Sequence, residues 1–104
     1  MDKHVLLATI KSRLAPVFGN RLQGIVLYGS EARDESTPGS DVDVLVLLTG
    51  PIGLACDLQM IVRALYPLQR EMLRPIHALP VNAASFEAGE FALYRRARAE
   101  GVLA

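Results

Sequence analysis

The chain has 104 residues, of which 51% are hydrophobic, enough for one domain, residues 1–104, with a single modest core. Its 11 Lys and Arg residues balance 11 Asp and Glu residues, which argues against an extended nucleic-acid surface but leaves room for a local nucleotide site. No apolar run reaches the ~20 residues of a membrane span. The N-terminus does not follow the plan of a signal peptide, and the single cysteine, Cys56, cannot form an internal disulfide. These features predict a cytoplasmic protein.

The first half of the chain predicts one helix and two strands. Helical spacing of apolar residues indicates a helix over residues 3–18, with Asp2 as its N-cap. Apolar runs predict strands over residues 22–28 and 42–48. The second strand is apolar on both faces, which is typical of a central strand that is covered on both sides.

The second half predicts a helix, a strand and a terminal helix. The first of these helices runs from residue 52 or 53 to 73, and Pro67 predicts a kink or a split within it. Asp57 is expected to face solvent, and Cys56 is interpreted as a small core residue. A strand over residues 76–81, with prolines at its margins, is expected at a sheet edge, parallel to the second strand. A helix over residues 90–100 then follows, with residues 102–103 as an extended tail. The apolar stripe of the longer helix is predicted to comprise Leu54, Leu58, Ile61, Val62, Leu65, Leu68 and Met72.

A polar loop from Gly29 to Asp43 joins the first two strands. Antiparallel pairing would place both its ends at one edge of the sheet. Because side chains alternate along a strand, Asp41 and Asp43 are expected to point the same way, about 7 Å apart. A divalent metal would relieve their repulsion, and carboxylate oxygens suit Mg²⁺. Gly29 permits close approach of a ligand and Ser30 suits phosphate, so the loop predicts phosphoryl or nucleotidyl transfer.

The order of these residues resembles the signature of the minimal nucleotidyltransferases in the DNA polymerase β-like superfamily. That signature is Gly-Ser, then Ala-Arg, then Ser-Asp-x-Asp, and the chain reads Gly29-Ser30-Glu31-Ala32-Arg33 and Ser40-Asp41-Val42-Asp43. The family commonly has glycine after the arginine, where this chain has Asp34. The C-terminal segments Leu93-Tyr94-Arg95 and Glu100-Gly101-Val102-Leu103 are also similar to the ends of small members. The resemblance implies an α/β fold, a small mixed sheet of three main strands with packed helices.

The resemblance also implies roles for the loop residues. Ser30 and the Gly29 backbone would hold the β- and γ-phosphates, and Ser40 belongs to the same nucleotide-binding signature. Arg33 is the cation nearest to them in the sequence. It either contacts phosphate or pairs with the acids of the loop, and the sequence favours neither alternative.

Fully active members of the superfamily typically carry a third acid on the next strand. The matching position here lies near His77, and no Asp or Glu occurs between Arg74 and Phe86. His77 is a candidate metal ligand or general base, although Mg²⁺ prefers oxygen, and the alternative is an ordinary strand histidine. Asp41, Asp43 and His77 are therefore the candidate catalytic residues. The sequence indicates nucleotide binding and leaves turnover open.

The function implied by the resemblance is transfer of a nucleoside monophosphate, AMP from ATP, to a hydroxyl acceptor with Mg²⁺ as cofactor. Small relatives are often encoded beside a HEPN ribonuclease toxin and act as its antitoxin, some by adding AMP to it, so a HEPN partner is expected. The alternative is an inactive nucleotide-binding module that neutralises its partner by contact. A third possibility is transfer to a small molecule such as an aminoglycoside. The sequence leaves the oligomeric state and the base preference open.

Overall fold

The structure is a computed structural model that describes residues 2–104, and its first element is the predicted N-terminal helix. Helix α1 spans Lys3–Phe18. The carboxylate of Asp2 accepts a hydrogen bond from the His4 N–H at 3.2 Å, which confirms the predicted N-cap. A 3₁₀ turn over Gly19–Arg21 then leads into the sheet.

Four strands form one mixed sheet in the order β3-β2-β1-β4. Strand β1 pairs antiparallel with β2 and with β4, whereas β2 and β3 are parallel. The α/β class, the mixed sheet and the parallel crossover are therefore confirmed, and the extended tail is a short fourth strand. The strands are β1 (Leu22–Tyr28), β2 (Val42–Leu48), β3 (Ile76–Asn82) and β4 (Val102–Leu103).

Helices cover both faces of the sheet, as the apolar β2 predicts. On one face lie α1 and α2, which spans Leu54–Glu71. On the other face lie two short helices, α3 (Ala83–Ala88) and α4 (Ala92–Glu100). Because side chains alternate, Asp43 shares the second face with Leu45 and Leu47, which pack in the core under α3 and α4. The buried residues of that smaller core are Val26, Leu45, Leu47, Val81, Phe86 and Ala97.

Helix α2 differs from the sequence-based predictions in three respects: its continuity at Pro67, the exposure of two residues of the predicted apolar stripe, and the exposure of Cys56. It is one helix with Pro67 inside it, so the split does not occur. Leu54 and Val62 are each 57% exposed and do not belong to the core, and Cys56 is exposed rather than buried. None of the helices in residues 2–104, α2 included, is long and apolar enough to cross a membrane.

The carboxylate of Asp57 is buried, which makes the prediction that it faces solvent wrong. The Arg21 guanidinium donates to its two oxygens at 3.0 and 3.1 Å, and the Gly53 N–H donates at 3.1 Å. Arg21 thereby holds the pKa of Asp57 below its ordinary value, against the opposing effect of burial. Arg21 also donates to the carbonyls of Thr49 and Pro51. This ion pair fastens the end of the sheet that lies opposite the polar loop.

Strand β3 lies at the edge of the sheet, as its prolines predict. The side chain of Gln69, in the last part of α2, accepts from the Ile76 N–H at 2.7 Å and donates to the Arg74 carbonyl at 2.9 Å. Pro80 lies within the strand and has no N–H to offer. The helix end and the edge strand are therefore joined by one amide side chain.

Candidate nucleotide-binding site

Three polar side chains lie side by side across the sheet where β1 ends and β2 begins. Asp43 is the register partner of Tyr28 on β1 and of His77 on β3, so all three share one face. Tyr28 is half-buried, and burial together with the nearby Asp43 carboxylate raises the pKa of its phenol. The phenol therefore stays protonated at neutral pH and can donate a hydrogen bond into this row.

Gly29 packs directly against the Asp43 side chain. Its φ is +76°, and a Cβ added there would lie 2.7 Å from Asp43 Oδ2. Ser30 follows at once and is half-buried. The structure thus brings the Gly-Ser pair and the second aspartate together, which is the arrangement expected from antiparallel pairing of the two strands.

The loop after Ser30 closes through backbone hydrogen bonds. The Glu35 N–H donates to the Ser30 carbonyl at 2.8 Å, and the Arg33 N–H donates to the Gly29 carbonyl at 3.3 Å. Asp34, where the resembling family commonly has glycine, has a φ of +58° and is the one non-glycine residue among 2–104 with a positive φ. The departure from the family signature therefore falls on a left-handed turn residue, a conformation that aspartate tolerates better than most residues.

Substitutions of Asp34 should distinguish the effect of its left-handed backbone conformation on stability from the effect of its charge. Its carboxylate lies 3.1 Å from Lys3 Nζ in an exposed pair, which is worth about 1 kcal/mol at most. Asp34→Gly should leave the free energy of unfolding within about 0.5 kcal/mol of the original, because relief of the turn offsets loss of the pair. Asp34→Ala should be about 1 kcal/mol less stable than Asp34→Gly in denaturant unfolding. Equal stability of the two variants would contradict this, and Asp34→Asn serves as the control for charge alone.

Arg33 pairs with acids in this structure. Its Nε donates to Glu35 Oε1 at 2.7 Å, and its Nη1 lies 3.6 Å from Glu100 Oε2 on α4. Of the two alternatives drawn from the sequence, the structure contains the pairing with a loop acid. A contact between Arg33 and a nucleotide stays a prediction.

Ser40 closes the turn that precedes the aspartates. Its hydroxyl accepts from the Thr37 N–H at 2.8 Å and lies 2.9 Å from the Thr37 hydroxyl. Its carbonyl accepts from Arg74 Nε at 2.8 Å. Ser40 therefore fixes the backbone that leads to Asp41, and its contact with a nucleotide stays a prediction.

Asp41 and His77 are in contact. Asp41 Oδ2 lies 3.2 Å from His77 Nε2, and the two side chains are 53% and 59% exposed. His77 is thus adjacent to both aspartates, to Asp43 by strand register and to Asp41 by this contact. Within residues 2–104 no group of three or more His, Cys, Asp or Glu side chains is arranged to hold a metal ion. The two carboxylates supply hard oxygen donors, and a metal here would take its remaining ligands from the phosphates of a nucleotide.

The pairing of Glu31 with Arg74 was missed by the sequence analysis. Glu31 is 8% exposed, and its Oε2 accepts from Arg74 Nη2 at 2.8 Å. This hydrogen bond holds the pKa of Glu31 below its ordinary value, against the opposing effect of burial. Local spacing carries no signal for the pair, because the two residues are 43 positions apart in the chain.

Comparisons with known proteins show the family and the fold of the chain. The family model described as "Nucleotidyltransferase domain" matches residues 8–100. A Sulfolobus solfataricus protein of suggested nucleotidyltransferase function has a similar solved structure, with a TM-score of 0.65 and 20% identity over 95% of this chain and 77% of that one. A chain from a toxin-antitoxin complex solved with AMP-PNP has a TM-score of 0.65 and 16% identity over 91% of this chain and 69% of its own. At such identities the two structures show a shared fold. Among curated protein sequences there is no significant match.

Proposed function

Because the chain belongs to the nucleotidyltransferase domain family, we propose that it transfers AMP from ATP to a hydroxyl group of a partner protein. The observation that carries the proposal is the contact between the Gly29 backbone and the Asp43 carboxylate. A phosphate-binding loop and a metal-binding carboxylate must lie this close if one triphosphate is to touch both. The chemistry is the attack of the acceptor oxygen on the α-phosphorus, with cleavage of the bond to the β-phosphate and release of pyrophosphate.

The proposal gives each loop residue a role. Ser30 and the Gly29 N–H bind the β- and γ-phosphates, and Asp41 and Asp43 hold Mg²⁺ together with the phosphate oxygens. The metal supplies positive charge against the triphosphate and the pyrophosphate that leaves. Tyr28, beside Asp43 in register, provides an aromatic surface next to the same site.

His77 is assigned the position of the third acid. It lies beside Asp43 in the parallel pair β2–β3 and contacts Asp41, which orients the imidazole. A neutral imidazole there accepts the proton of the acceptor hydroxyl. The His77 side chain is 59% exposed, so an acceptor can reach it.

The acceptor is assigned to a partner protein. Next to the polar row the sheet is incompletely covered, with His77 59% exposed and Leu79 38% exposed on one strand. The fold shared with a chain of a toxin-antitoxin complex supports a partner of the toxin class. From the resemblance of the sequence signature we propose that this partner is a HEPN protein in the cytoplasm. The second candidate is a module that binds nucleotide and neutralises that partner by contact. It is favoured by the absence of a third carboxylate beside Asp41 and Asp43 among residues 2–104.

The proposal is tested in two steps. Calorimetry with ATP, in Mg²⁺ and in EDTA, should show affinity at least about tenfold higher with the metal. Incorporation of labelled AMP into the co-expressed partner then distinguishes the enzyme from the contact module, since only the enzyme labels it. Absence of ATP binding in both conditions overturns the proposed function. Binding without labelling selects the second candidate.

Two substitutions of His77 should have different effects on AMP transfer. His77→Asp supplies the missing acid and should maintain or raise AMP transfer, whereas His77→Ala should lower it about 100-fold because the proton acceptor is lost. His4→Ala, at the exposed start of α1, is the matched control and should leave transfer unchanged. His77→Asp should also increase the Mg²⁺ dependence of ATP binding in calorimetry, because a third carboxylate joins the site. Transfer that is unaffected by His77→Ala would contradict this assignment.

A further inference from the structure

Arg74 joins the two halves of the proposed site. It precedes β3, and its side chain is 18% exposed. Its Nε donates to the Ser40 carbonyl at 2.8 Å, and its Nη2 donates to Glu31 Oε2 at 2.8 Å. One acceptor is adjacent in sequence to Asp41 and the other is adjacent to Ser30. A single guanidinium therefore binds the phosphate loop and the segment that leads to the carboxylates.

The backbone of Arg74 is itself held in place. Gln69 on α2 donates to the Arg74 carbonyl at 2.9 Å and accepts from the Ile76 N–H at 2.7 Å. The intervening Pro75 carbonyl accepts from the Val42 N–H at 2.8 Å, at the start of β2. Arg74 is thus anchored to a helix and to two neighbouring strands. From this base its side chain reaches Glu31 and the Ser40 carbonyl in the polar loop.

We propose that Arg74 is a positioning residue that holds the Gly29–Ser30 loop at a fixed distance from Asp41 and Asp43. The inference rests on the proposed function, because it assigns the spacing to the binding of one metal-nucleotide complex. The two acceptors are bound by two different nitrogens of one guanidinium, Nε and Nη2, which the planar group holds at a fixed spacing. Lysine has a single ammonium nitrogen and cannot place donors at both of these positions.

If Arg74 only stabilised the fold, its loss would lower stability without a specific effect on the loop or on nucleotide binding. A second arginine in the chain provides a control for this case. The Arg21–Asp57 pair is also a buried carboxylate bound by arginine, with contacts of 3.0 and 3.1 Å. It lies at the far end of β1, which at ~3.3 Å per residue is roughly 20 Å from the polar loop. Loss of either arginine should lower stability, whereas loss of Arg74 alone should affect the loop and the nucleotide.

The test compares Arg74→Gln and Arg74→Lys with Arg21→Gln, at a temperature where denaturant curves show that each variant is folded. Arg74→Gln should weaken Mg-ATP binding about tenfold, and Arg74→Lys should weaken it nearly as much. Arg21→Gln should leave the affinity within about twofold of the original protein. Glu31→Gln, which keeps the shape and one hydrogen bond, covers the case in which Arg74 variants fail to fold, and it should weaken binding about threefold.

Amide hydrogen exchange provides a readout that needs no nucleotide. In Arg74→Gln the N–H groups of Glu35 and Ser40, which close the loop, should exchange about tenfold faster, while those of β1 and β2 keep their relative protection. Arg21→Gln should not produce this selective change. If the original protein binds no Mg-ATP, the proposed function fails, and the exchange pattern alone decides whether Arg74 orders the loop. If Arg74→Gln leaves loop exchange and affinity unchanged, or changes both no more than Arg21→Gln does, the inference is overturned.

Discussion

Replacing Gly29 with alanine should weaken Mg-ATP binding about 100-fold. Two charge-assisted contacts would be lost together, that of the Asp43 carboxylate with the metal and that of the Gly29 backbone with the phosphates. The new Cβ would lie 2.7 Å from Asp43 Oδ2, so the carboxylate must move away from its place beside the loop. The same methyl group would occupy the surface that approaches the phosphates. The loss should appear in calorimetry with ATP and Mg²⁺.

The matched control for this change is Gly50→Ala. Gly50 has a φ of +82°, close to that of Gly29, but a Cβ there would meet nothing within 4 Å. Both variants should lose about 1–2 kcal/mol of unfolding free energy, the usual cost of a left-handed residue with a side chain. Only Gly29→Ala should lose nucleotide affinity. Equal affinities of the two variants would show that the contact with Asp43 has no part in binding.

The double variant Asp41→Asn with Asp43→Asn should bind ATP equally with and without Mg²⁺. Both metal-binding charges are removed, while the amide groups keep the size of the side chains and one hydrogen-bond acceptor each. In EDTA the variant should be at least as stable to heat as the original protein, because the repulsion between two like charges is gone. The measurements are calorimetry in both conditions and thermal unfolding without metal.

Asp34→Asn is the control for that experiment, since it removes an acid from the same loop without touching the site. Asp34 is 77% exposed at its side chain and pairs with Lys3, away from β2. This control should keep the full Mg²⁺ dependence of ATP binding. If the double variant also keeps it, the metal is held by residues other than Asp41 and Asp43.

Much of the site follows from local patterns. Two apolar runs joined by a polar loop predict β1 and β2, and their antiparallel pairing places Gly29 against Asp43. The helical crossover through α2 favours parallel pairing of β3 with β2, and the register of that pair sets His77 beside Asp43. These inferences depend on the periodicity of apolar residues and on the connection between the strands, which act over a few residues or one crossover.

The rest depends on contacts between distant parts of the chain. Asp57 lies in the first turn of α2, where a carboxylate is usually exposed, and it is buried only because Arg21 reaches it from before β1. Glu31 is buried in the same way by Arg74. No spacing rule connects such partners, since each pair forms only when separate elements have packed. Leu54 and Val62, which were predicted to lie on the apolar stripe of α2, are exposed, because the covered side of a helix depends on which elements pack against it.

The edge of the sheet at β3 limits how other chains can add to the fold. Alternate residues of an edge strand point their backbone groups outward, here Ile76, Ala78, Pro80 and Asn82. Gln69 already occupies the Ile76 N–H, and Pro80 has none, so a foreign strand finds donors only at Ala78 and at Asn82, where β3 ends. Such an edge is a poor template for cross-β growth, and it protects a small apolar sheet against self-association during synthesis. At this edge a partner protein would therefore be recognised through side chains and not through an added strand.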